Sequence, residues 1–415
     1  MVNLAFFLYN ENIRSDIVKI LTVNAGSSSL KFNLISLPEE KVLISGNFEK
    51  IGLNGGIYSL KINGSKIKKE AEMKDHKVAI ELLIEELLAN KIIKSLSEID
   101  GIGHRLVHGG DKYNSSILID DEVIKTVSDL SSLAPLHNPA NILGVKAFKE
   151  ALPDIPMVGV FDTAFHQTMK EEEFLYPVPL EWYTKYKIRK YGFHGTSHKY
   201  ITKVMQDIMG QKDINIISCH IGSGASICCI KNGESIDTSM GFTPNAGIAM
   251  GTRSGDIDYS IIPYYMSESC LSLNEVDTIL NKKSGLLGIS EKYSDHRDIE
   301  EAIRNGEHNS LVASNIYNNK IIDYIAKYYV KLEGKVDALV FTAGVGENAR
   351  EFRRDIISKL ACLGIYIDEE KNNQIAGYLE ENSGLISSAN SKVQVYVIPT
   401  NEELMIAKET YELIK

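Results

Sequence analysis

Two segments of the chain share one pattern of strands and small-residue turns, and this pattern constrains the fold more than any other feature. In "VKILTVNAGSSSLKFNLISL" (residues 18–37), an apolar run stops at a turn of small residues and a second run follows. In "INIISCHIGSGASICCI" (residues 214–230) the same order returns, and Asn232-Gly233 predicts a further hairpin turn directly afterwards. The repetition predicts an internal duplication with one Gly/Ser turn in each half.

A third small-residue segment, "FTAGVGENAR" (residues 341–350), follows a predicted buried strand, Val336–Phe341, and precedes a predicted helix, Ala349–Leu360. An amphipathic helix is predicted for residues 75–90, with Asp75 as its N-terminal cap. Strands mixed with helices in this way predict an α/β protein. Because no Pro/Ser-rich linker separates the halves, we expect two packed lobes around a central cleft.

Composition excludes several classes of protein. The 415 residues suffice for two or three domains, and the net charge of −10 argues against nucleic-acid binding, which needs a basic surface. No apolar run approaches the roughly 18 residues of a membrane span, so no membrane partner is expected. The five cysteines show no C-x-x-C spacing, which indicates neither a disulfide framework nor a zinc site and favours a reducing cytoplasm.

Three small-residue turns follow apolar strands, at residues 24–29, 222–226 and 344–348. Glycine lets backbone N–H groups approach phosphate oxygens closely, and small hydroxyls add donors without bulk. Each turn taken alone is better explained as an ordinary hairpin, because Gly and Ser are common in turns. Three such turns at matched positions of a duplicated chain favour a nucleotide phosphate clamp, although no segment matches the P-loop pattern.

A second hypothesis is an NAD-dependent oxidoreductase. Gly344-Val-Gly346-Glu-Asn-Ala349 fits the dinucleotide fingerprint, and Asp368 stands about twenty residues further on, as a ribose-binding acid would. Against this hypothesis, the motif lies near the end of the sequence, and the other two turns stay unexplained.

Several charged or polar side chains stand beside glycine or other small residues. Arginines in such surroundings have few carboxylates to pair with and can bind phosphate or carboxylate oxygens through two parallel hydrogen bonds. The histidines are individually as compatible with structural roles, and His194 and His198 lack the glutamate of a zinc motif. The candidates are Arg105, His137, Asp162, His194 and Arg253.

Ten colinear motifs between Val23 and Leu404 resemble those of the acetate kinase family. They are VNAGSSSLKF, HRLVHGG, APLHNP, FDTAFHQTM, KYGFHGTSH, DTSMGFTP, GTRSGDID, NKKSGLLGIS, FTAGVGEN and IPTNEEL. The resemblance implies two duplicated ribonuclease H-like domains, as in actin-like ATPases. Residues 1–17 would be an N-terminal extension, residues 18–166 and 401–415 the first domain, and residues 167–400 a second, nucleotide-binding domain.

The family's activity is reversible transfer of the γ-phosphoryl group of ATP to acetate, and the resemblance implies the same reaction here, with ATP or ADP as co-substrate. It implies Mg²⁺ as the metal, with Mn²⁺ as an alternative, and a homodimer. A propionate or short-chain carboxylate kinase is the alternative within the family. A third hypothesis from a different class is an actin- or chaperone-like ATPase.

The resemblance also assigns site residues. Arg105 and Arg253 would flank the acyl carboxylate and the transferring phosphoryl group, His194 would donate to its oxygens, and Asp162 would orient these groups, with His137 nearby. The acyl group would lie against Arg105, Val107, Leu136, Phe193 and Pro244. The nucleotide would contact Ser29, Lys31, His220, Gly222, Ser223, Gly224, Asp295, His296, Arg297, Ala343, Gly344, Gly346, Glu347 and Asn348. Mg²⁺ would be held through waters by Asn24 and Glu402.

Three positions depart from the family pattern. Ser223 replaces an asparagine, His296 replaces an aromatic residue, and Asn245-Ala246 replaces a Leu-Glu pair. The first two fall in the nucleotide site and bear on the choice of base. Glu402 is expected to stay ionised, because a carboxylate in the first turn of a helix is stabilised by the helix dipole.

Overall fold

The computed structural model describes residues 17–135, 137–379 and 382–415. Its strands are β1 (Val18–Ala25), β2 (Ser29–Leu37), β3 (Lys41–Glu49), β4 (Ile57–Ile62), β5 (Ser65–Glu70), β6 (Gly101–Leu106), β7 (Ile117–Leu118), β8 (Met157–Phe161), β9 (Ile216–Ile221), β10 (Ala225–Lys231), β11 (Glu234–Thr238), β12 (Ala338–Thr342), β13 (Gly384–Leu385) and β14 (Gln394–Val397).

Its α-helices are α1 (His76–Ala89), α2 (Asp121–Asp129), α3 (Asn138–Ala151), α4 (Glu171–Phe174), α5 (Glu181–Tyr186), α6 (Gly195–Met209), α7 (Ile261–Ser269), α8 (Leu273–Lys282), α9 (Gly285–Ser290), α10 (His296–Arg304), α11 (His308–Lys331), α12 (Ala343–Asn348), α13 (Arg350–Lys359), α14 (Glu369–Gln374) and α15 (Glu402–Ile414). Short 3₁₀ helices lie at Leu96–Glu98, Leu130–Ser132, Ala164–Thr168 and Leu360–Leu363. In the described ranges, no helix is long and apolar enough to cross a membrane.

The chain divides into two compact units. Unit 1 contains the described residues through Ala164 and also the terminal segment Glu402–Lys415, which follows unit 2 in the sequence. Unit 2 is continuous and contains Phe165–Asn401. Each unit is built on its own β-sheet.

The sheet of unit 1 has the strand order β5-β4-β3-β2-β1-β6-β8-β7. Strands β3, β2 and β1 pair antiparallel, β6 and β8 continue parallel to β1, and β7 returns antiparallel at the edge. Helices α1 and α3 contribute to the core on one face. On β6, glycines leave room for α15, because a Cβ at Gly103 would lie 2.6 Å from Ile406 Cγ2 and one at Gly101 would lie 2.7 Å from Ile414 Cδ1.

The sheet of unit 2 repeats this plan with the order β11-β10-β9-β12-β14-β13. Three antiparallel strands are again followed by two parallel ones and an antiparallel edge strand. Helix α6 packs on it through Ile201 and Met205, which join Ile216, Ile230 and Val340 in one core cluster. The predicted α/β fold with two duplicated domains is therefore confirmed.

Local sequence signals explain several boundaries. Asn232 and Gly233 adopt φ values of 53° and 79°, the left-handed conformations that a tight two-residue hairpin requires. Helix α1 begins after Asp75, whose carboxylate accepts a hydrogen bond from the backbone N–H of Val78 at 3.0 Å. Both features agree with the sequence prediction.

One predicted loop is wrong. The segment 344–348, expected to be a phosphate turn, lies within the short helix α12, which starts at Ala343 directly after β12. Ala343 adopts φ 63°, so the chain reverses sharply there and enters the helix without a loop. Gly346 is buried, and a Cβ there would lie 3.4 Å from the backbone carbon of Phe341. The lack of a side chain at this position therefore lets α12 pack closely on β12.

Candidate active site

In unit 1, Arg105 and Asp162 form a buried ion pair at the carboxyl ends of neighbouring parallel strands. Arg105 lies on β6, and Asp162 follows β8 and is 1% exposed. The Asp162 carboxylate accepts hydrogen bonds from Arg105 Nε, at 3.2 Å, and from Nη2. Burial opposes the guanidinium charge, but Asp162 and then Glu402 raise the pKa of Arg105 above its usual value. Arg105 is thus held as a fixed, oriented cation.

Asn24 and Glu402 line the same small cavity of unit 1 as Arg105. Asn24 is the penultimate residue of β1, and Glu402 is the first residue of α15, with Oε2 3.9 Å from Arg105 Nε. In the described ranges, no group of three or more His, Cys, Asp or Glu side chains could hold a metal ion. One carboxylate and one amide oxygen fit Mg²⁺ nonetheless, because this cation takes few protein ligands and keeps much of its water.

Glu402 is expected to stay ionised, but its pKa lies close to neutral pH, so the carboxylate is only partly ionised there. Burial is the largest cause that raises its pKa, Arg105 opposes this, and Asp162 adds to it, for a pKa of about 7. Burial and a neighbouring carboxylate therefore outweigh the helix dipole. A cation beside Glu402 would favour the ionised form.

The remaining predicted residues of unit 1 lie on β2, directly after β6 and directly before α3. Lys31 is exposed on β2 and pairs with Asn24 in the strand register, and Ser29 begins β2. Val107 is 4% exposed, so it lies in the unit's core, and His137 immediately precedes α3. The predicted acyl-pocket residue Leu136 lies outside the described residues.

In unit 2, the hairpin turn between β9 and β10 lies against the start of α12. A Cβ placed on Gly222 would lie 3.6 Å from Ala343 Cβ and 3.9 Å from the backbone nitrogen of Gly344. Backbone N–H groups of a glycine turn and of a helix start are therefore close together, which is the arrangement that binds phosphate oxygens.

The same turn is flanked by His194 and Arg253. A Cβ on Gly224 would lie 3.5 Å from His194 Cε1 and Nε2 and 3.6 Å from Arg253 Nη1. A glycine at this position lets both side chains approach the turn. Unit 2 thus brings an imidazole and a guanidinium to its glycine turn.

The imidazole of His194 is held on two sides. Its Nδ1 lies 2.9 Å from the hydroxyl of Ser226, and its ring stacks on His220 with a centroid distance of 4.1 Å. His220 Nδ1 in turn lies 2.8 Å from Ser197 Oγ. The backbone of His194 has φ 57°, a left-handed conformation at the start of α6 that is uncommon outside glycine and marks a constrained residue.

Arg253 has no ion pair within the described part of the chain. Its Nη1 donates to the carbonyl of Pro244 at 3.0 Å and lies 3.5 Å from Met250 Sδ. Burial lowers its pKa from the usual value. A partly buried arginine without a carboxylate partner is suited to bind an anionic ligand, which would supply the missing charge.

A cavity of about 610 Å³ extends from the glycine turn of unit 2 towards α10 and α11. One end is lined by Gly222, Ser223 and Gly344. The other contains His296, which is 6% exposed and packs edge-on against Phe352 at 5.4 Å. Burial lowers the pKa of His296 to about 4, so this ring is neutral at physiological pH. The cavity volume lies in the range of sites that enclose a small organic ligand.

Not every predicted nucleotide residue lines this cavity. Those that do are Gly222, Ser223, Asp295, His296, Arg297, Gly344 and Asn348. Gly346 is buried, and Glu347 accepts a hydrogen bond from the backbone N–H of Thr400 at 3.1 Å, which fixes α12 rather than a ligand. Phe193, assigned to the acyl pocket, is 4% exposed in this unit.

Sequence reasoning missed several residues of these sites. Glu300, Tyr317 and Tyr378 line the cavity, and Ser226 holds His194. Nothing in the local sequence distinguishes Glu300, Tyr317 or Tyr378, because these residues reach the cavity only through tertiary packing. A signal existed for Ser226 alone, since it ends the predicted glycine turn.

The oxidoreductase hypothesis is not supported. Asp368, the expected ribose ligand, caps α14 by accepting hydrogen bonds from the backbone N–H groups of Glu370 and Lys371. Strands β9, β10 and β11 are antiparallel, whereas the dinucleotide fold is built on a mostly parallel sheet. The Gly-x-Gly pattern of this chain therefore belongs to the short helix α12 and not to a dinucleotide-binding turn.

Known proteins resemble this chain over nearly its whole length. The model of the acetokinase family matches residues 19–408. An acetate kinase of Bacillus subtilis (strain 168) is 51% identical over 399 residues, covering 96% of this chain and 100% of its own. The crystal structure of Porphyromonas gingivalis acetate kinase matches with a TM-score of 0.91 and 44% identity, covering 96% of this chain and 100% of that one.

A propionate kinase structure from Francisella tularensis also matches, with a TM-score of 0.89, 43% identity, and coverage of 95% and 100%. The family model spans nearly all of the described chain, and the relatives are matched over their full length. The chain therefore belongs to the acetokinase family.

Proposed function

We propose that the protein catalyses the reversible transfer of the γ-phosphoryl group of ATP to acetate, giving acetyl phosphate and ADP by direct in-line displacement. An acetate oxygen forms the new P–O bond while the bond from phosphorus to the β–γ bridging oxygen breaks. Acetate is already ionised at neutral pH, so its attack requires no general base. The observation that carries the proposal is the convergence of His194 and Arg253 on the glycine turn at Gly224.

In unit 2, the turn and the start of α12 would bind the phosphate chain through backbone N–H groups. Arg253 and His194 would stabilise the charge on the oxygens of the transferring phosphoryl group. Phosphoryl transfer passes through a loose transition state that needs positioning and positive charge rather than covalent catalysis. The absence of an ion pair for Arg253 within the described residues supports this role.

In unit 1, Arg105 would bind the acetate carboxylate, and Asp162 would orient the guanidinium through its two hydrogen bonds. The fixed direction of that pair favours bidentate recognition of a planar carboxylate. His137, at the start of α3, would lie close to the reacting groups. Asp162 acts through Arg105, so it is a positioning residue.

Asn24 and Glu402 are the residues we assign to Mg²⁺, which would neutralise charge on the β- and γ-phosphate oxygens. We assign nucleotide binding to unit 2, with the base towards His296 and the ribose and phosphates towards Ser223 and Gly344. The polar ring of His296, in place of the family's aromatic, makes weak base stacking the expected departure.

The most specific part of the proposal is which carboxylic acid the enzyme prefers. The resemblance assigns Val107 in unit 1, and separately Phe193 and Pro244 in unit 2, to the acyl group. One methylene is worth only about 1 to 3 kcal/mol of discrimination against apolar side chains. We therefore expect acetate to be preferred and propionate to be accepted at a lower kcat/KM. The five cysteines are all free thiols, which supports the cytoplasmic setting we propose, and a homodimer is proposed from the family resemblance.

The direct test combines purified protein, ATP, Mg²⁺, an acid and hydroxylamine, which traps an acyl phosphate as a coloured hydroxamate. Acetate, propionate and butyrate are compared as acids, and ATP, GTP and pyrophosphate as donors. Product with acetate and ATP supports the proposal. No product above a blank without acid, for all three acids, rejects it. Sedimentation of the same protein tests the dimer.

Arg253→Ala and Arg354→Ala provide a matched pair for this assay. Arg354 is an exposed arginine of the same unit, and its Nε lies 3.4 Å from Asp355. Loss of activity in the first variant alone supports the role of Arg253. Equal activity in both variants would remove Arg253 from the mechanism.

A further inference from the structure

A buried row of alternating serine and histidine side chains leads from β9 to His194. Ser218 Oγ lies 2.9 Å from His198 Nδ1, His198 Nε2 lies 2.8 Å from Ser226 Oγ, and Ser226 Oγ lies 2.9 Å from His194 Nδ1. Ser218, His198 and Ser226 are each 0% exposed. Neither the family resemblance nor the proposed mechanism uses this row, which we call the Ser-His row.

Hydrogen bonding along the row has two possible directions. A neutral imidazole has one N–H donor and one acceptor nitrogen, and a hydroxyl has a single hydrogen to donate. In the first direction, Ser218 donates to His198 Nδ1, His198 Nε2–H donates to Ser226, and Ser226 donates to His194 Nδ1. In the second direction every one of these hydrogen bonds is reversed, and His194 carries its proton on Nδ1.

Ser218 distinguishes the two directions. Within the described residues, His198 Nδ1 is the hydrogen-bond partner of Ser218 Oγ, and no second partner occurs there. In the second direction Ser218 accepts from His198, so its own hydroxyl hydrogen is buried without an acceptor. An unpaired buried donor is costly, whereas the first direction pairs every hydrogen of the row.

The row has a single direction of hydrogen bonding only if His198 is neutral, because a cationic ring would donate from both nitrogens. Burial lowers the pKa of His198 well below its usual value, and the neighbouring His166 and His220 lower it further. His166 is itself held neutral, since burial lowers its pKa to about 4. Within the described residues, the ring nitrogens of His198 hydrogen-bond to Ser218 and Ser226 and not to a carboxylate, so no carboxylate stabilises a positive charge on this ring.

We propose that Ser218 and His198, acting through Ser226, fix the tautomer of His194 with its proton on Nε2. Nε2 is the nitrogen that faces the phosphate turn, 3.5 Å from the position of a Cβ on Gly224. The row therefore presents an N–H donor, rather than a lone pair, towards an anionic phosphoryl oxygen. Ser218 and His198 are positioning residues, and their link to catalysis rests on the proposed function, whereas the tautomer itself does not.

The test is long-range ¹H–¹⁵N correlation NMR of the full chain labelled with ¹⁵N-histidine, with the His194 signals assigned by their loss in His194→Gln. In the wild type, Nδ1 is expected at the shift of an unprotonated nitrogen and Nε2 at that of a protonated one. In Ser218→Ala the distinction between the two directions is lost, so both signals should move towards the average of two tautomers. Ser218→Thr retains the hydroxyl and should restore the wild-type shifts.

Ser235→Ala is the matched control. Ser235 is also fully buried and lies 2.8 Å from a histidine, His166 Nδ1, but it is not a member of the row, so its loss should leave the His194 shifts unchanged. A wild-type His194 protonated on Nδ1 overturns the proposal, as does a Ser218→Ala spectrum identical to the wild type. If the kinase assay succeeds, kcat in Ser218→Ala should fall by about twofold at unchanged KM for ATP, because half of the molecules carry the productive tautomer. The NMR result stands whether or not the kinase assay succeeds.

Discussion

Arg353 is fully buried in α13 and has no ion pair in the described ranges of the chain. Its guanidinium instead donates to the carbonyls of Gly346 and Glu347, at 2.9 and 2.8 Å, and to Asn372 and Ile375 beyond the helix. The first two carbonyls belong to α12, the helix that begins beside the glycine turn. Arg353 thus anchors α12 from its carboxyl end.

Replacing Arg353 with methionine keeps an unbranched side chain that ends near the position of Nε, and it removes all of these donors. Four of the hydrogen bonds are fully buried. At about 1 kcal/mol for each buried acceptor left unpaired, the loss is about 4 kcal/mol. Burial of the apolar methionine recovers about 1 kcal/mol, so we expect local stability to fall by about 3 kcal/mol.

Amide hydrogen exchange of peptides that cover α12 measures this loss where it occurs, since a chain of two units need not unfold in one step. A loss of about 3 kcal/mol corresponds to a rise in exchange of roughly 100-fold. Arg354→Met on the same helix is the control, because Arg354 is exposed and should change exchange little. Exchange in Arg353→Met within threefold of that control would refute this account of α12.

Two further substitutions test the site in unit 2, and a third tests a buried ion pair of the same unit. Arg253→Ala should lower kcat by roughly 10²- to 10³-fold, as for loss of one preorganised donor, while ADP affinity measured by calorimetry changes little. Gly224→Ala adds a methyl group at ordinary contact distance from His194 and Arg253, so thermal unfolding should stay near wild type while kcat falls. Asp237 is 1% exposed with Lys190 Nζ at 2.5 Å, and although burial opposes its charge, Lys190 and Lys327 lower its pKa. A carboxyl group whose pKa is lowered in the folded protein stabilises the fold at pH values above its unfolded pKa of about 4, and this stabilisation is lost as the pH falls. Asp237→Asn should therefore be less stable than wild type at pH 7 but approach the stability of wild type in acid. The expected difference at pH 7 in denaturant titrations is about 2 kcal/mol, below the 3 to 5 kcal/mol of a fully buried pair because the lysines are partly exposed.

The duplicated architecture could be predicted from sequence because its signals are local. Strand, small-residue turn and strand recur in order, and Asn232-Gly233 and Asp75 mark a hairpin and a helix start by their own chemistry. The segment after β12 could not be predicted in this way. Its glycines are typical of a loop, but packing of Gly346 on Phe341 favours a helix.

The protonation states of the site residues also could not be predicted from the sequence. Glu402 was expected to be ionised from its place in the helix, whereas its pKa depends on burial and on Asp162, which is distant in sequence. The Ser-His row could not be predicted from local sequence either, since Ser218, Ser226 and His198 come from two strands and a helix. Such features follow from tertiary packing, which a local pattern does not contain.

The return of the chain to unit 1 has a consequence for synthesis on the ribosome. Strands β6 and β8 are made early, but Val158 and Val160 pack against Ile406 of α15, which is made only after the whole of Phe165–Asn401. Unit 2 is continuous and can complete its core during translation, whereas unit 1 keeps an uncovered apolar face until α15 emerges. Contacts so distant in sequence also form slowly. The unit whose synthesis starts first is therefore the last to fold, and its nascent sheet is the part of the chain most in need of chaperone protection.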